Sequence, residues 1–195
     1  MPNKNKTPLS ELRIIAGRFR SRKIVFSEEP GLRPTHNRIR ETLFNWLNGS
    51  IDNKNVLDVF AGSGALGFEA LSRDAARVTF IDISRNVIQQ LKENAATLKI
   101  ENADFIQCDF ILQNTILHQK YDLVFLDPPF QKNLLLQTCE LLESRDLLNP
   151  HALIYLEFEK SSVDLTQLPK NWIIKKHKDT KIIEYVLCEN QSKQA

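Results

Sequence analysis

The sequence predicts an α/β protein with an open, mostly parallel, doubly wound sheet of seven strands and an N-terminal β-hairpin extension. From residue 55 onward, short apolar runs of strand length alternate with segments whose apolar residues recur at helical spacing. That alternation is typical of βαβ units in a parallel sheet. Before it, apolar and basic residues alternate around Gly17, which predicts a hairpin over residues 12–26.

The alternating region predicts five strands, followed by a closing pair that brings an antiparallel last strand to the sheet. We expect the five strands at 56–60, 77–81, 105–108, 121–126 and 153–158, and the closing pair at 172–176 and 182–188. We expect helices from Thr35 to the Asn48-Gly49 stop, over 65–72, from Ser84 to residue 98, and over 132–143.

Composition limits the class of protein. The 195 residues are 42% hydrophobic and 26% charged, which fits one ordinary globular domain. There is no run of about 18 apolar residues and no apolar region near the N-terminus, so we expect a cytoplasmic protein without a membrane partner. Three cysteines without CxxC spacing and four scattered histidines predict neither disulfides nor a metal site. We expect a monomer.

Charge is unevenly distributed along the chain. Residues 1–40 hold ten Lys/Arg against three Asp/Glu, whereas residues 41–195 hold sixteen against twenty-one. A basic segment on a mildly acidic body indicates a polyanionic partner, although a solubilising tail would have the same composition. We therefore divide the chain into a basic arm with the hairpin, residues 1–34, and a main domain, residues 35–195.

A glycine-rich turn follows the first expected strand of the main domain. Gly62, Gly64 and Gly67 satisfy GxGxxG between a strand and a helix, and Asp82 ends the next strand twenty residues after Gly62. Such glycines let the backbone approach a ligand, and the carboxylate can accept hydrogen bonds from ribose hydroxyls. These features suit an adenosine ligand, including a nicotinamide dinucleotide.

Two further acids favour a ligand without phosphates. Asp58 lies inside the end of the first strand, just before the loop, where a carboxylate would repel pyrophosphate but could meet an ammonium or hold the loop amides. Asp109 follows the third strand and could accept a hydrogen bond from an adenine amino group, with Cys108 or Phe110 against the ring. A ligand with adenine, ribose and an amino acid matches these acids, and S-adenosylmethionine is that ligand.

The fourth expected strand ends in Asp127-Pro128-Pro129-Phe130. The two prolines make a rigid turn, so the Asp127 carboxylate and the Pro128 carbonyl form a fork of two acceptors. Such a fork would grip the exocyclic amine of a base, and Phe130 would stack on the same base. The chemistry we infer is direct displacement, in which the amine attacks a sulfonium methyl without a strong general base.

DVFAGSGALG, Asp82, Asp109 and DPPF together resemble the motifs of Rossmann-like class I S-adenosylmethionine-dependent methyltransferases that act on exocyclic amines. LRIIAGRFRSRKI followed by GLRPTHNRIRETLFNWL resembles the bacterial 16S rRNA guanine-N2-methyltransferase family RsmD, over roughly residues 12–188. The resemblance implies methylation of N2 of one guanine in 16S rRNA, with the assembled small ribosomal subunit as the preferred partner. Two departures are Ala16-Gly17, where the family often has Gly-Gly, and Asn37, where it often has Asp.

The resemblance also implies a set of site residues. Asp58, Gly62 and Gly64 would line the methionine end, Asp82 the ribose and Asp109 the adenine. The expected cofactor-binding set is Thr35, Asp58, Phe60, Ala61, Gly62, Ser63, Gly64, Asp82, Ile83, Cys108, Asp109 and Phe110. The expected catalytic set is Asp127, Pro128, Pro129 and Phe130. The Arg33-Pro34-Thr35 stretch would close over the cofactor.

The basic front of the chain supplies candidates for RNA binding. The expected RNA-binding residues are Arg13, Arg18, Arg20, Arg22, Lys23, Arg33 and Arg38. On a strand, Arg18, Arg20 and Arg22 would share one face and grip phosphates. Arg38 and Arg40 could instead support the cofactor lid by pairing with Glu41 or Asp127.

Three other functions stay open from the sequence. DPPF also serves N6-adenine methylation of DNA, and only the N-terminal resemblance separates the two. GxGxxG with Asp82 fits a nicotinamide oxidoreductase, which leaves DPPF unexplained. A non-enzymatic RNA-binding assembly factor would keep its cellular function in Asp127→Ala.

Overall fold

The structure, a computed structural model, describes residues 9–27, 37–113, 117, 119–130 and 134–191. The strands are β1 (Leu9–Arg13), β2 (Lys23–Ser27), β3 (Asn55–Asp58), β4 (Arg77–Asp82), β5 (Ala103–Gln107), β6 (Tyr121–Leu126), β7 (Leu148–Glu159), β8 (Trp172–Asp179) and β9 (Ile183–Asn190). The helices are α1 (Asn37–Trp46), α2 (Ala65–Ser72), α3 (Arg85–Leu98) and α4 (Leu134–Ser144), with a short 3-10 turn at Leu165–Gln167.

Seven strands form one sheet in the order β5-β4-β3-β6-β7-β9-β8. Strands β3 to β7 are parallel, and β9 lies antiparallel between β7 and β8. This confirms the predicted doubly wound sheet with an antiparallel last strand. We call the edge where β3 to β7 end the carboxyl edge, and the edge where they begin the amino edge. Ligands bind at the carboxyl edge of such sheets.

The sheet separates two apolar clusters. Helices α1, α2 and α3 and the β1-β2 hairpin pack on one face. There the ring centroids of Phe68 in α2 and Phe80 in β4 are 5.0 Å apart. Helix α4 packs on the other face through Leu135, Cys139 and Leu142. The hairpin residues therefore belong to the same apolar cluster as the helices of the main domain. In the described part of the chain, no helix is long and apolar enough to span a membrane.

The N-terminal hairpin is present, but its connection is not part of the strands. β1 pairs antiparallel with β2, and residues 14–22 fold as a turn against α2. The main-chain N–H of Ile15 donates to Glu69 Oε2 at 2.7 Å, and that of Phe19 donates to Ser72 Oγ at 2.9 Å. Gly17 has φ +78°, and a Cβ there would lie 1.8 Å from the Ser72 carbonyl oxygen, so only glycine fits.

This docking corrects the expected arginine row. Arg18, Arg20 and Arg22 lie in the connection and not on a strand, so they do not share a strand face. The alternating pattern was misleading because main-chain N–H groups between residues 15 and 19 donate to Glu69 and Ser72 of α2 and not to a neighbouring strand.

Other boundaries differ by a few residues. The strand expected over 56–60 ends at Asp58, because Val59 and Phe60 already turn into the glycine loop. The strand expected over 153–158 is longer, since β7 begins at Leu148 and pairs with β6 across an irregularity. Ser84 caps α3 as predicted and accepts a hydrogen bond from the N–H of Val87 at 3.4 Å. The expected cap of α1, Thr35, lies outside the described residues.

Candidate active site

Carboxylates mark the carboxyl edge of four adjacent strands. Asp58 and Asp82 are the last residues of β3 and β4, Asp109 lies just beyond β5, and Asp127 directly follows β6. All four line one cavity of about 570 Å³. This volume is typical of a small-molecule site.

Two of these acids also hold the glycine loop in place. Asp58 Oδ2 accepts the main-chain N–H of Gly67 at 3.1 Å. Asp82 accepts the N–H of Gly62 through Oδ2 at 3.0 Å and the N–H of Ser84 through Oδ1 at 2.8 Å. A carboxylate oxygen accepts more than one hydrogen bond, so these contacts leave capacity for a ligand.

Most of the predicted cofactor residues surround the cavity. Those that line it are Asp58, Phe60, Ala61, Gly62, Ser63, Asp82, Ile83, Cys108, Asp109 and Phe110. Gly64 does not line it. It has φ +76°, and a Cβ there would lie 2.5 Å from Leu91 Cδ2, so this glycine is needed for the shape of the loop before α2. Thr35 and Arg33 lie outside the described residues.

The segment after β5 forms the end of the cavity expected to hold adenine. Asp109 Oδ1 accepts the N–H groups of Ile111 at 2.9 Å and Leu112 at 3.2 Å, which fixes the turn. Phe110 is buried beneath the guanidinium of Arg145, whose carbon lies 5.0 Å from the ring centroid. Ile83 and Leu112 line the cavity and are 66% and 81% exposed. Exposed apolar side chains at a cavity suit a planar ring.

The Asp127-Pro128-Pro129-Phe130 turn lines the same cavity. Phe130 is half-buried and packs on the apolar cluster formed with α1, α2 and α3, which holds its ring in place. The N–H of Val59 donates to the carbonyl of Phe125 at 3.2 Å, so the glycine loop is tied to the strand that precedes the turn. The structure thus brings the residues predicted to bind the cofactor and those predicted to hold the base to one cavity.

Burial and like charge act on Asp58. Removal from water raises the pKa of this carboxyl to about 7, and the charges of Asp127 and Asp82 add to the rise. The hydrogen bond from Gly67 opposes it. Asp58 therefore titrates near neutral pH. A cation bound beside it would lower its pKa and so favour the charged carboxylate.

Glu157 is a site-associated acid that the sequence reasoning missed. It lies on β7, one residue beyond Leu156, which pairs with Leu126 just before Asp127. Its Oε2 accepts a 2.6 Å hydrogen bond from the hydroxyl of buried Tyr155. Burial raises the pKa of Glu157, and the neighbouring charge of Asp127 raises it further. The available signal was a glutamate inside an otherwise apolar strand.

The basic residues of the hairpin connection lie away from the cavity. Arg18 Nη2 donates to Asn102 Oδ1 at 3.4 Å, and Arg22 Nη2 donates to the Thr97 carbonyl at 3.4 Å. Asn102 directly precedes β5, so this part of the connection lies at the amino edge. Arg13, Arg20, Lys23 and Arg38 are also exposed.

Arg40 is buried and bonds to the N-terminal part of the chain. It is 1% exposed, and its Nη2 donates to Asn37 Oδ1 at 2.6 Å and to the Arg13 carbonyl at 3.0 Å. Of the two acids expected to pair with Arg40, Glu41 contributes an electrostatic attraction, but the described hydrogen bonds of Arg40 go to Asn37 and Arg13. The reason is that Arg40 points into the joint between α1 and the hairpin.

The charge of the cavity limits its ligands. Among the described residues that line it there are four aspartates and no lysine or arginine. A pyrophosphate would meet repulsion there, whereas an ammonium or sulfonium would be attracted. The described residues contain no group of three or more His, Cys, Asp or Glu side chains arranged to hold a metal ion.

Solved structures share this fold over nearly the whole chain. A protein from Escherichia coli assigned as a methyltransferase has a TM-score of 0.82 at 43% identity and covers 94% of this chain and 100% of its own. A methylase assigned from Haemophilus influenzae has a TM-score of 0.79 at 44% identity with the same coverage.

Curated relatives also match this chain over nearly its whole length. The protein named ribosomal RNA small subunit methyltransferase D from Haemophilus influenzae is 48% identical over 92% of this chain and 94% of its own. The Escherichia coli protein of that name is 44% identical over 98% of this chain and 96% of its own. Residues 12–189 match the family described as conserved hypothetical protein 95. The chain belongs to this family, and the resemblance to the RsmD family drawn from its motifs is confirmed.

Proposed function

We propose that this chain is an S-adenosylmethionine-dependent methyltransferase that methylates N2 of a guanine in 16S rRNA. One observation carries the proposal: the acids around the glycine loop and the Asp127-Phe130 turn line a single cavity. A cofactor held by the first set would face a base held by the second. The relatives named for the small-subunit ribosomal RNA support that RNA as the substrate.

The cavity fits the cofactor chemically. S-adenosylmethionine carries an ammonium, a sulfonium and no phosphate, which matches a lining of aspartates without described cations. Asp58 would hold the ammonium, Asp82 the ribose hydroxyls and Asp109 the adenine amino group. When bound, the cofactor supplies an electrophilic methyl group on sulfur.

Residues of this chain would contribute to the reaction by positioning the target base and its exocyclic amine. The Asp127 carboxylate and the Pro128 carbonyl accept hydrogen bonds from the two N–H groups of the exocyclic amine, which aligns its lone pair. Phe130 stacks on the base after it has left its own stack. The cofactor would supply its methyl group to the amine held there and would leave as S-adenosylhomocysteine, and the nitrogen would release its surplus proton to water. Positioning of this kind accelerates reactions strongly without a general base.

The proposal assigns functions to the two parts of the chain. Residues 1–34 would contact RNA, and residues 35–195 would bind the cofactor and the target base. The partner we propose is 16S rRNA within the assembled small subunit, which places the reaction in the cytoplasm.

A transfer assay with a tritium-labelled methyl donor tests the proposal. The substrates are protein-free 16S rRNA, small ribosomal subunits and DNA, and the product is digested to nucleosides. We expect label on N2-methylguanine from rRNA or subunits. Label only on N6-methyladenine from DNA would favour the rival methyltransferase, and tight NADH binding without S-adenosylhomocysteine binding would favour the oxidoreductase.

A further inference from the structure

A strip of lysines follows β8, the edge strand of the sheet, and the turn after it. Between residues 170 and 182 the chain carries five lysines against one aspartate. Every residue of β8 after Trp172 is exposed. We call Lys176, Lys178 and Lys181 the basic edge.

The charge of the basic edge is not neutralised by neighbouring acids. Elsewhere in the strip, Lys175 pairs with Glu189 at 2.8 Å, and Asp179 pairs with Lys160. Within the part of the chain that the structure describes, the three lysines of the basic edge have no ion-pair partner. Their ammonium groups are therefore available to an external anion.

Strand direction brings the basic edge to the side of the candidate active site. β8 is antiparallel to β9, and β9 is antiparallel to β7, so β8 ends at the carboxyl edge. Lys178 pairs with Tyr185, which pairs with Glu157. Lys178 is thus three strand spacings, about 14 Å, from the end of β6 where Asp127 lies. A few nucleotides flanking a base at Asp127 can span that distance.

Two of the arginines predicted to bind RNA lie too far from the cavity side to contact phosphates next to the target base. Arg18 and Arg22 lie at the amino edge, opposite the cavity. Phosphates next to a base held at Asp127 would lie at the carboxyl edge, so they need cations there. The basic edge provides exposed cations on that side.

We propose that the basic edge binds backbone phosphates of the RNA substrate on the β8 side of the target base. The inference rests on the proposed function and deepens it by naming a second RNA-contacting surface. Lysines suit this role because compact ammonium groups bind phosphates without reading sequence. Lysines also keep an edge strand from pairing with another sheet, and the test includes that outcome.

The test compares Lys176→Gln/Lys178→Gln with a matched control, Lys54→Gln/Lys120→Gln, which removes two lysines at the amino edge. Affinity for protein-free 16S rRNA and for small subunits is measured against salt concentration, with S-adenosylhomocysteine present. We expect the slope of log affinity against log salt to fall by about two in the β8 variant, or about one per lost phosphate contact. KM should rise several-fold with kcat nearly unchanged. The control should behave like the wild type, and Lys176→Arg/Lys178→Arg should restore the slope.

Several results would overturn the inference. These are an unchanged slope and KM, an equal effect in the control, or aggregation of the β8 variant as its only defect. Loss of binding to subunits but not to free rRNA would identify a protein contact instead. A wild type that methylates no RNA would refute the proposed function, whereas a methylating wild type with unaffected β8 variants would refute this inference alone.

Discussion

The carboxylate of Glu69, in the middle of α2, accepts a hydrogen bond from the main-chain N–H of Ile15 at 2.7 Å. Its other oxygen accepts the N–H of Ala16 at 3.0 Å and the Nε of Arg73 at 2.8 Å. Glu69 is fully buried. Since α2 begins at the glycine loop, one side chain joins the N-terminal connection to the helix that positions the candidate cofactor site.

Glu69→Ala is expected to destabilise the protein by about 3–5 kcal/mol, because it leaves Arg73 and two main-chain donors without their acceptor. Glu69→Gln keeps one acceptor oxygen and should cost less. Chemical denaturation measures both. Equal stability of Glu69→Ala and the wild type would show that the connection does not depend on this contact.

Asn37→Asp is expected to stabilise the protein. Nε and Nη1 of Arg40 are buried and have no hydrogen-bond partner among the described residues, and burial lowers the pKa of this guanidinium. A carboxylate in place of the Asn37 amide would put a negative charge beside Nη2, at a contact that is now 2.6 Å long. We expect a gain of about 1–2 kcal/mol in the free energy of unfolding. Asn37→Ala is the control and should lose stability, and a destabilised Asn37→Asp would contradict this account.

Cofactor binding is expected to depend on the ionisation of Asp58. Because its pKa is about 7 in the free protein and an ammonium favours the charged form, affinity should fall as pH drops below that value. The Kd for S-adenosylhomocysteine should rise up to about tenfold per pH unit below neutrality and level off above it. Calorimetric titration from acid to alkaline pH measures this. Asp58→Asn should bind weakly with little pH dependence, and a flat wild-type profile would exclude the role.

The same shift predicts how stability changes with pH. The folded-state pKa of Asp58 is raised above that of the unfolded chain, so the unfolded state ionises first as pH rises. The free energy of unfolding of the free protein therefore decreases as pH rises from about 4 to about 7. Above that range the whole cost of ionising Asp58 in the folded state is present. Asp58→Asn should raise Tm at pH 8 by about 2 °C or more and give no gain at acid pH. An equal gain at both pH values would point to packing instead.

Asp127→Ala is expected to separate binding from transfer. Loss of the acceptor for the exocyclic amine should slow methyl transfer at least about a hundredfold. Asp58, Asp82 and Asp109 remain, so affinity for S-adenosylhomocysteine should change only a few-fold. Single-turnover transfer and calorimetry measure the two quantities. Unimpaired transfer would rule out the proposed role of the turn.

Glu157→Gln is expected to retain transfer within a few-fold at neutral pH. Burial and the charge of Asp127 raise the pKa of the Glu157 carboxyl and so favour its uncharged form, and a glutamine oxygen can still accept the Tyr155 hydroxyl. The variant should also be more stable than the wild type at pH 8, because it removes an acid that the folded state keeps uncharged. A folded Glu157→Gln with no transfer would show instead that the ionised carboxylate is needed.

Elements with a clear apolar period were predictable from the sequence. α2 and β6 have the predicted limits because a glycine turn and a Pro-Pro turn mark where they begin or end. The carboxylates of the cavity were also predictable, since parallel strands bring their carboxyl ends to one edge.

Features that depend on distant contacts were not predictable. Residues 14–22 alternate like a strand, yet their partners Glu69 and Ser72 lie more than fifty residues away in the chain. Glu157 was missed because its closeness to Asp127 depends on the β6-β7 register, which an irregularity shifts. The position of Arg18 at the amino edge follows from the same docking on α2.

A crystal structure with bound S-adenosylhomocysteine tests the central claim most directly. We expect the adenine beside Asp109, the ribose at Asp82, and the sulfur facing the pocket between Asp127 and Phe130. A nucleoside bound elsewhere, or a sulfur turned away from the Asp127 carboxylate, would contradict this account of methyl transfer.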